Sequence, residues 1–213
     1  MSVKKYSLDN VFEIMDITQT NYENMVKRLL IKKAFSNFTI TYYSVALITY
    51  SLTAEFFPKM FNTKLSSYFN IILSIVVLTY SLIIANANYS ERINSTENAL
   101  NDVKSMKREL TEENVNQKRK EYETIVSMTE YSSDIDFFRT LKQKCKKYNI
   151  HFWNYKPGIE KLGLINENVA RKMNSYLSKN SPLKQQLIII FQYLWGGVII
   201  ITPILLFIIC FFA

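Results

Sequence analysis

The sequence predicts an all-α integral membrane protein, with an N-terminal two-helix transmembrane hairpin, a cytosolic helical region and a third, C-terminal transmembrane helix. Two observations carry this. The 213 residues hold 26 Lys+Arg and 18 Asp+Glu, but the charges are segregated: between 35 and 57 the only one is Glu55, and from 65 to 90 and from 185 to 213 there is none. Each block reaches about 20 residues, which at about 1.5 Å rise per residue spans a hydrocarbon core of roughly 30 Å. The chain also has only 4 Gly and 4 Pro, so little interrupts its long helical patterns. A soluble globule is excluded.

Residues 1–34 read as a cytosolic amphipathic helix. Leu8, Val11, Met15, Tyr22, Met25 and Leu29 recur at helical spacings, with Ser7 as N-cap. Lys27, Arg28, Lys32 and Lys33 close it, placed to snorkel toward anionic headgroups or to act as a topology signal. With these polar, mixed-charge residues ahead of it, the first apolar block is not expected to be a signal peptide.

Residues 35–90 form the hairpin, turning at Pro58 between two spans. Lys+Arg number six before it, two in its loop (Lys59 and Lys64), and eighteen between 88 and 185. The excess on the two flanks places the N-terminus and the middle region in the cytoplasm and sends the C-terminus out.

Residues 91–150 form the cytosolic helical region. Without a Pro or Gly after span two, one long helix is expected to continue out of the membrane, with Ile93, Leu100, Val103 and Leu110 as its apolar seam. A second helix is expected over 113–131, using Val115, Tyr122, Ile125 and Val126, and a third over 135–148, using Phe138, Leu141, Cys145 and Tyr148. Stripes this narrow need a partner face, supplied within the chain or by a neighbouring subunit. Residues 151–185 are a connector broken at Pro157 and Gly158, with a short helix on Leu162, Ile165, Val169 and Tyr176. Residues 186–213 form the third span, interrupted by Gly196, Gly197 and Pro203.

Catalytic signals are poor. His151, the only histidine, has no Cys or carboxylate at a ligand spacing, and Phe152 and Trp153 beside it suit an aromatic or interfacial cluster. Asp134 and Asp136 suit a helix N-terminus, and four glycines leave no material for a phosphate loop. No enzyme activity, cofactor or metal is expected. Lys118, Arg119 and Lys120 are interleaved with Glu112, Glu113, Glu121 and Glu123, and with the 142–147 cluster they suit a solvated face or an anionic leaflet better than direct nucleic-acid binding. Cys145 and Cys210 lie in a charged and an apolar segment, so no disulfide is expected. The bias to Lys, Asn, Ile, Tyr and Phe reflects AT-rich codons and points to a bacterial source.

The informative pattern lies in the spans. Asn70, Ser74, Ser81, Ala85 and Asn88 fall within about 60° of helical arc at about 100° per residue, and Asn37, Thr41, Ser44, Ser51 and Glu55 make a second stripe. Such stripes face protein or water, since unsatisfied polar groups in hydrocarbon are costly. Helix packing and a water-lined conduit both fit. The candidate pore-lining residues are therefore Asn37, Thr41, Ser44, Ser51, Glu55, Asn70, Ser74, Ser81 and Asn88.

At residues 86–93 the order Asn-Ala-Asn-Tyr-Ser-Glu-Arg-Ile stands at the foot of the second span, followed by Asn98-Ala99-Leu100 and a Lys/Glu-rich helix. With the hairpin, residues 42–50 and 73–77, Glu121-Tyr122 and Asp134-Ile135-Asp136-Phe137, this resembles the SLATT family, two-span effector domains associated with bacterial nucleotide-signalling and conflict systems. The resemblance covers about residues 35–140, and the branch with a C-terminal hydrophobic helix, similar to proteins encoded beside reverse transcriptases, is nearest. It implies an inner-membrane effector that oligomerises with copies of itself and perforates the bilayer in anti-phage defence, on a signal from an upstream sensor such as a reverse transcriptase or nucleotidyltransferase system. A pore of two-helix hairpins needs several copies in a closed ring. The alternative is a membrane-anchored adaptor that recruits a cytosolic partner without conduction.

Overall fold

The computed structural model describes residues 7–147 and 182–212, and every regular element among them is a helix. In chain order these are α1 (Leu8–Phe56), α2 (Thr63–Ala87), α3 (Tyr89–Glu109), α4 (Val115–Met128), α5 (Asp134–Lys147) and α6 (Pro182–Phe212).

Local chemistry sets their ends. Ser7 caps α1, its hydroxyl accepting the Asn10 amide at 3.4 Å. Asn62 caps α2 the same way through Leu65, at 3.1 Å. Between α3 and α4 the Asn114 side chain donates to the Glu109 carbonyl at 2.8 Å and accepts from the Thr111 amide at 2.8 Å. Ser133 and Asp136 form a reciprocal box at the start of α5: the Ser133 amide donates to the Asp136 carboxylate at 3.1 Å, and the Asp136 amide donates to the Ser133 hydroxyl at 3.4 Å. Pro182 opens α6, where its missing N–H costs nothing.

Two expected boundaries move. The amphipathic helix does not end at residue 34, because α1 runs unbroken to Phe56 with neither Pro nor Gly inside it. The long helix expected to leave span two is interrupted at Asn88, which takes a left-handed conformation (φ 45°, ψ 40°). Asparagine is among the few residues that tolerate it, so no Gly or Pro was needed. The helices expected near 113–131 and near 135–148 are α4 and α5, and Tyr148 lies outside the described residues. His151, the Pro157–Gly158 break and the helix expected on Leu162 lie outside the described residues.

The chain divides into two compact units. The charged unit takes α1 up to Arg28, α3 from Glu91, α4 and α5. Its core joins Val11, Met15 and Tyr22 of α1 to Ala99, Leu100, Val103 and Met106 of α3 and to Val115 and Tyr122 of α4. At roughly 1.5–3 kcal/mol per fully buried apolar side chain, this cluster is a main source of its cohesion. The seams read on α3 and α4 thus find their partner face within the chain, on α1.

The apolar unit takes α1 from Leu29, α2, and α6 from Ile190. Its core gathers Tyr43, Tyr50, Phe61, Leu73 and Cys210, with Leu47, Val77 and Phe207 packed against them. Phe207 stacks on Tyr50 at 5.3 Å between centroids and meets Phe61 at 5.3 Å. The Asn62 amide donates to the Cys210 carbonyl at 2.9 Å. The end of α6 therefore lies at the hairpin turn, and α6 runs parallel to α1.

Two stretches are long and apolar enough to cross a membrane, Thr63–Glu109 and Leu183–Phe212. Only 6% and 11% of their most apolar windows are buried, which a core helix of a soluble protein would reverse. Ile71, Ile75, Leu78 and Leu82 on α2, and Leu187, Phe191, Leu194 and Trp195 on α6, are exposed large apolar side chains, the surface that a bilayer covers. The α1 segment expected as a span is not among these stretches. Its Ser36, Asn37, Thr39, Thr41, Ser44, Thr49, Ser51 and Thr53 dilute it.

Candidate functional site

Within the apolar unit, α1 presents two polar faces. One carries Ser36, Thr39, Tyr43 and Tyr50, all buried. From it the Tyr43 hydroxyl donates to the Ile199 carbonyl at 2.9 Å, and the Tyr50 hydroxyl donates to the carbonyl of Pro203. These tyrosines were not singled out from sequence. The signal was present in Pro203, which deprives the carbonyl four residues earlier of its amide partner. Gly196 also marks a helix contact, since a Cβ there would meet the Phe35 ring at 3.5 Å, whereas Gly197 has nothing within 4 Å.

The other face carries the predicted stripe. Asn37, Thr41, Ser51 and Glu55 on α1 and Ser74 on α2 are exposed, as is Asn88 beyond it, while Ser44, Asn70 and Ser81 are half-buried. One contact joins the two stripes: the Asn70 side-chain amide donates to the Ser51 hydroxyl at 3.3 Å. Among the described contacts the other candidates are not brought together.

Most hydroxyls on this face are already satisfied by their own helix. Thr41 donates to the Asn37 carbonyl, Ser51 to Leu47, Ser74 to Asn70 and Ser81 to Val77, at 2.7–3.0 Å. Ser and Thr can therefore sit in hydrocarbon at little cost, and a serine stripe alone does not demand water. Asn70 is different. Its Oδ1 is buried and has no hydrogen-bond partner, as does the Ser66 hydroxyl. A buried acceptor left unmet costs about 1–3 kcal/mol, so the strain of this face concentrates at the Ser51–Asn70 junction. Asn88 serves as the left-handed residue between α2 and α3.

The charged unit holds a second set of polar groups, joining α1 to α5 and α3. Asp16 accepts from Lys107 at 2.9 Å and from Lys144 of α5, which is buried. Burial raises the Asp16 pKa, but hydrogen bonds from Lys144 and Lys107 outweigh it and hold the carboxyl below its ordinary value. Burial likewise works against Glu23, where Gln19 and Lys104 prevail and lower its pKa. Asn24 donates to Thr140 at 3.0 Å and to Gln143 at 3.3 Å, and Asn21 to Ser132 at 2.6 Å. The Arg28 Nε donates to both oxygens of Asp136, at 2.9 and 3.0 Å, with the Asp136 side chain fully buried. Arg28, expected to snorkel toward headgroups, is turned inward because a buried carboxylate is the stronger partner.

Of the acidic pair read at the start of α5, Asp136 caps the helix and binds Arg28, while Asp134 is exposed. Lys118 pairs with Glu109 at 2.7 Å and Glu121 at 3.3 Å, and Arg119 with Glu123 at 2.7 Å, so these cations of the basic run are engaged by neighbouring acids. Burial pushes the Cys145 thiol up to about 12, which makes it unreactive while α5 stays packed. Among the described residues no cluster of three His, Cys, Asp or Glu could hold a metal ion.

Residues 13–209 match the model of a family described as SMODS and SLOG-associating 2TM effector domain family 5. The matched region extends on both sides of the 35–140 stretch that carries the short motifs. No curated protein and no solved structure matches the chain.

Proposed function

The chain belongs to the SMODS and SLOG-associating 2TM effector domain family 5, and on that premise we propose that it is a membrane effector of a bacterial conflict system that assembles with copies of itself and depolarises the inner membrane. The observation that carries the reading is the polar face of α1 and α2, joined at Ser51–Asn70 and left uncovered by α6. A single copy cannot enclose water, and a closed ring of copies turns one such face per subunit into a continuous polar lining.

In this reading α1 crosses the membrane with α2 and α6. What supports this is that its tyrosines meet Ile199 and Pro203 on a helix apolar enough to span. Three spans, with Lys and Arg concentrated before α1 and after α2, put the N-terminus and the charged unit in the cytoplasm. A periplasm-active reporter should then work after Ala213 and stay silent at Asn116.

The deciding experiment is controlled expression with a voltage-sensitive dye, paired with purified protein in liposomes holding an ion gradient. Collapse of the potential ahead of any loss of protein synthesis, and dissipation of the gradient, are expected. Growth arrest at a normal potential, with gradients intact, would replace the pore with the adaptor reading, in which the charged unit recruits a cytosolic partner.

A further inference from the structure

α1 packs on α3 and α4 through an apolar cluster edged by the pairs Asp16–Lys107, Glu23–Lys104 and Thr18–Tyr122, and it meets α5 through a run of polar contacts. Against α3 and α4 it buries Val11, Met15 and Tyr22 in a continuous apolar cluster. Against α5 and the turn before it, the contacts described from α1 are polar: Asp16 with Lys144, Asn21 with Ser132, Asn24 with Thr140 and Gln143, and Arg28 with Asp136. Separating the first interface exposes apolar surface to water. Separating the polar contacts to α5 exchanges protein partners for water, and ionic contacts gain little net stability over their hydrated state while specifying one register.

The location of the polar contacts is equally particular. Arg28 is the last residue of α1 in the charged unit, and Arg92 is the second residue of α3 in it. Arg28 is bound by Asp136, and the Arg92 Nε donates to Glu130 at 2.7 Å. Two acids six residues apart, Glu130 and Asp136, thus grip α3 and α1 near the residues where the chain passes from one unit to the other. Asp136 also keeps its hydrogen bonds to Ser133, so the start of α5 retains its cap when Arg28 departs.

We propose that residues 130–136 with α5 form a releasable clasp on α1 and α3, and that its opening is the step that frees the effector to open in the membrane. The second half rests on the pore reading, whereas the clasp itself does not. α1 is continuous from Leu8 to Phe56, so the residue that Asp136 binds and the segment read as a span belong to one helix. α5 also buries Phe138, Leu141 and Cys145, which an open clasp uncovers.

Cys145 therefore reports the clasp independently of conduction. In full-length protein carrying Cys210→Ala, Arg28→Gln and Arg92→Glu should each raise the rate of Cys145 alkylation by iodoacetamide several-fold at unchanged helicity. Arg92→Glu combined with Glu130→Arg should return it to the native rate. In cells, Arg28→Gln should depolarise at an expression level at which the native chain does not. With Cys145 and Cys210 replaced, Asn24→Cys with Thr140→Cys should, once oxidised, prevent depolarisation, and reduction should restore it. Equal alkylation rates across the variants overturn the clasp whatever the potential does. An oxidised lock that depolarises as fully as its reduced form overturns its role in opening. If the native chain never depolarises at any level, the pore reading falls, and the alkylation rates alone decide the clasp.

Discussion

The Tyr43 hydroxyl donates at 2.9 Å to the carbonyl of Ile199, the acceptor that Pro203 strips of its amide four residues later. α6 carries a gap in its own hydrogen-bond ladder, and α1 supplies the missing donor. Tyr50, seven residues on, repeats the contact one turn further along α6 at Pro203 itself. In hydrocarbon no water competes for these acceptors, so the pair fixes the register of two parallel helices.

Tyr43→Phe should cost about 1 kcal/mol in a bilayer, near the upper range for interhelical hydrogen bonds. In a Pro203→Ala background the cost should shrink, because residue 203 then offers its own amide to Ile199. Unfolding free energies of the two single variants and the double variant in lipid bicelles test this. Fully additive losses would mean that Tyr43 acts through packing and not through the proline gap.

The acidic residues at the start of α5 should separate sharply on substitution. Asp136 is fully buried and bound by Arg28, and removing one partner of such a pair costs about 3–5 kcal/mol. Asp134 is exposed and interacts with the helix dipole, worth about 0.3–1 kcal/mol. Denaturant unfolding of Asp136→Ala and Asp134→Ala, followed by far-UV circular dichroism, should reproduce that ordering. Equal losses would reduce Asp136 to a helix cap.

Asp16 sets an acid limit on the charged unit. Its folded pKa lies below the ordinary 3.8, so its pairing with Lys107 and Lys144 contributes stability that is fully present above the unfolded value and is lost as pH falls through the folded one. Asp16→Asn should destabilise the unit at neutral pH and flatten the loss of stability expected below about pH 4. Melting temperatures from pH 7 down to about pH 3 provide the check. A native acid limb retained in full by the variant would move the effect to Glu23 and other carboxylates.

What the sequence made legible was local. Apolar blocks, the Ser7 cap and the seams on Leu100, Val103 and Tyr122 depend on neighbours within a few turns, and periodicity reports those directly. The Asn88 break escaped because asparagine adopts a left-handed conformation without the punctuation of Gly or Pro. Arg28 and Asp136 stand 108 residues apart, and nothing in the charge of either names the other. The stripe was visible as spacing. That its serines are satisfied by their own carbonyls, leaving Asn70 as the costly member, depends on rotamers that spacing does not encode.

That difference among stripe residues gives the sharpest test of the conduit. With Cys145 and Cys210 replaced, cysteine at Asn70, Ser74 or Ser81 should react with a small polar thiol reagent in cells depolarised by induced expression, and cysteine at Val76 or Thr79 should react far less. Ser74→Leu with Ser81→Leu removes only hydroxyls that their own helix satisfies, so insertion should be unchanged while hydration of the stripe, and with it depolarisation, is lost. Asn70→Leu should do the same and also relieve a buried, unpaired acceptor, leaving the protein non-conducting and more stable. Glu55→Gln, near the end of α1, should shift cation preference more than toxicity, because carboxylates at a mouth concentrate cations without setting its width. Should all five cysteine positions stay equally protected, and the leucine variants depolarise as the native chain does, the face is a packing surface between helices and conduction lies elsewhere.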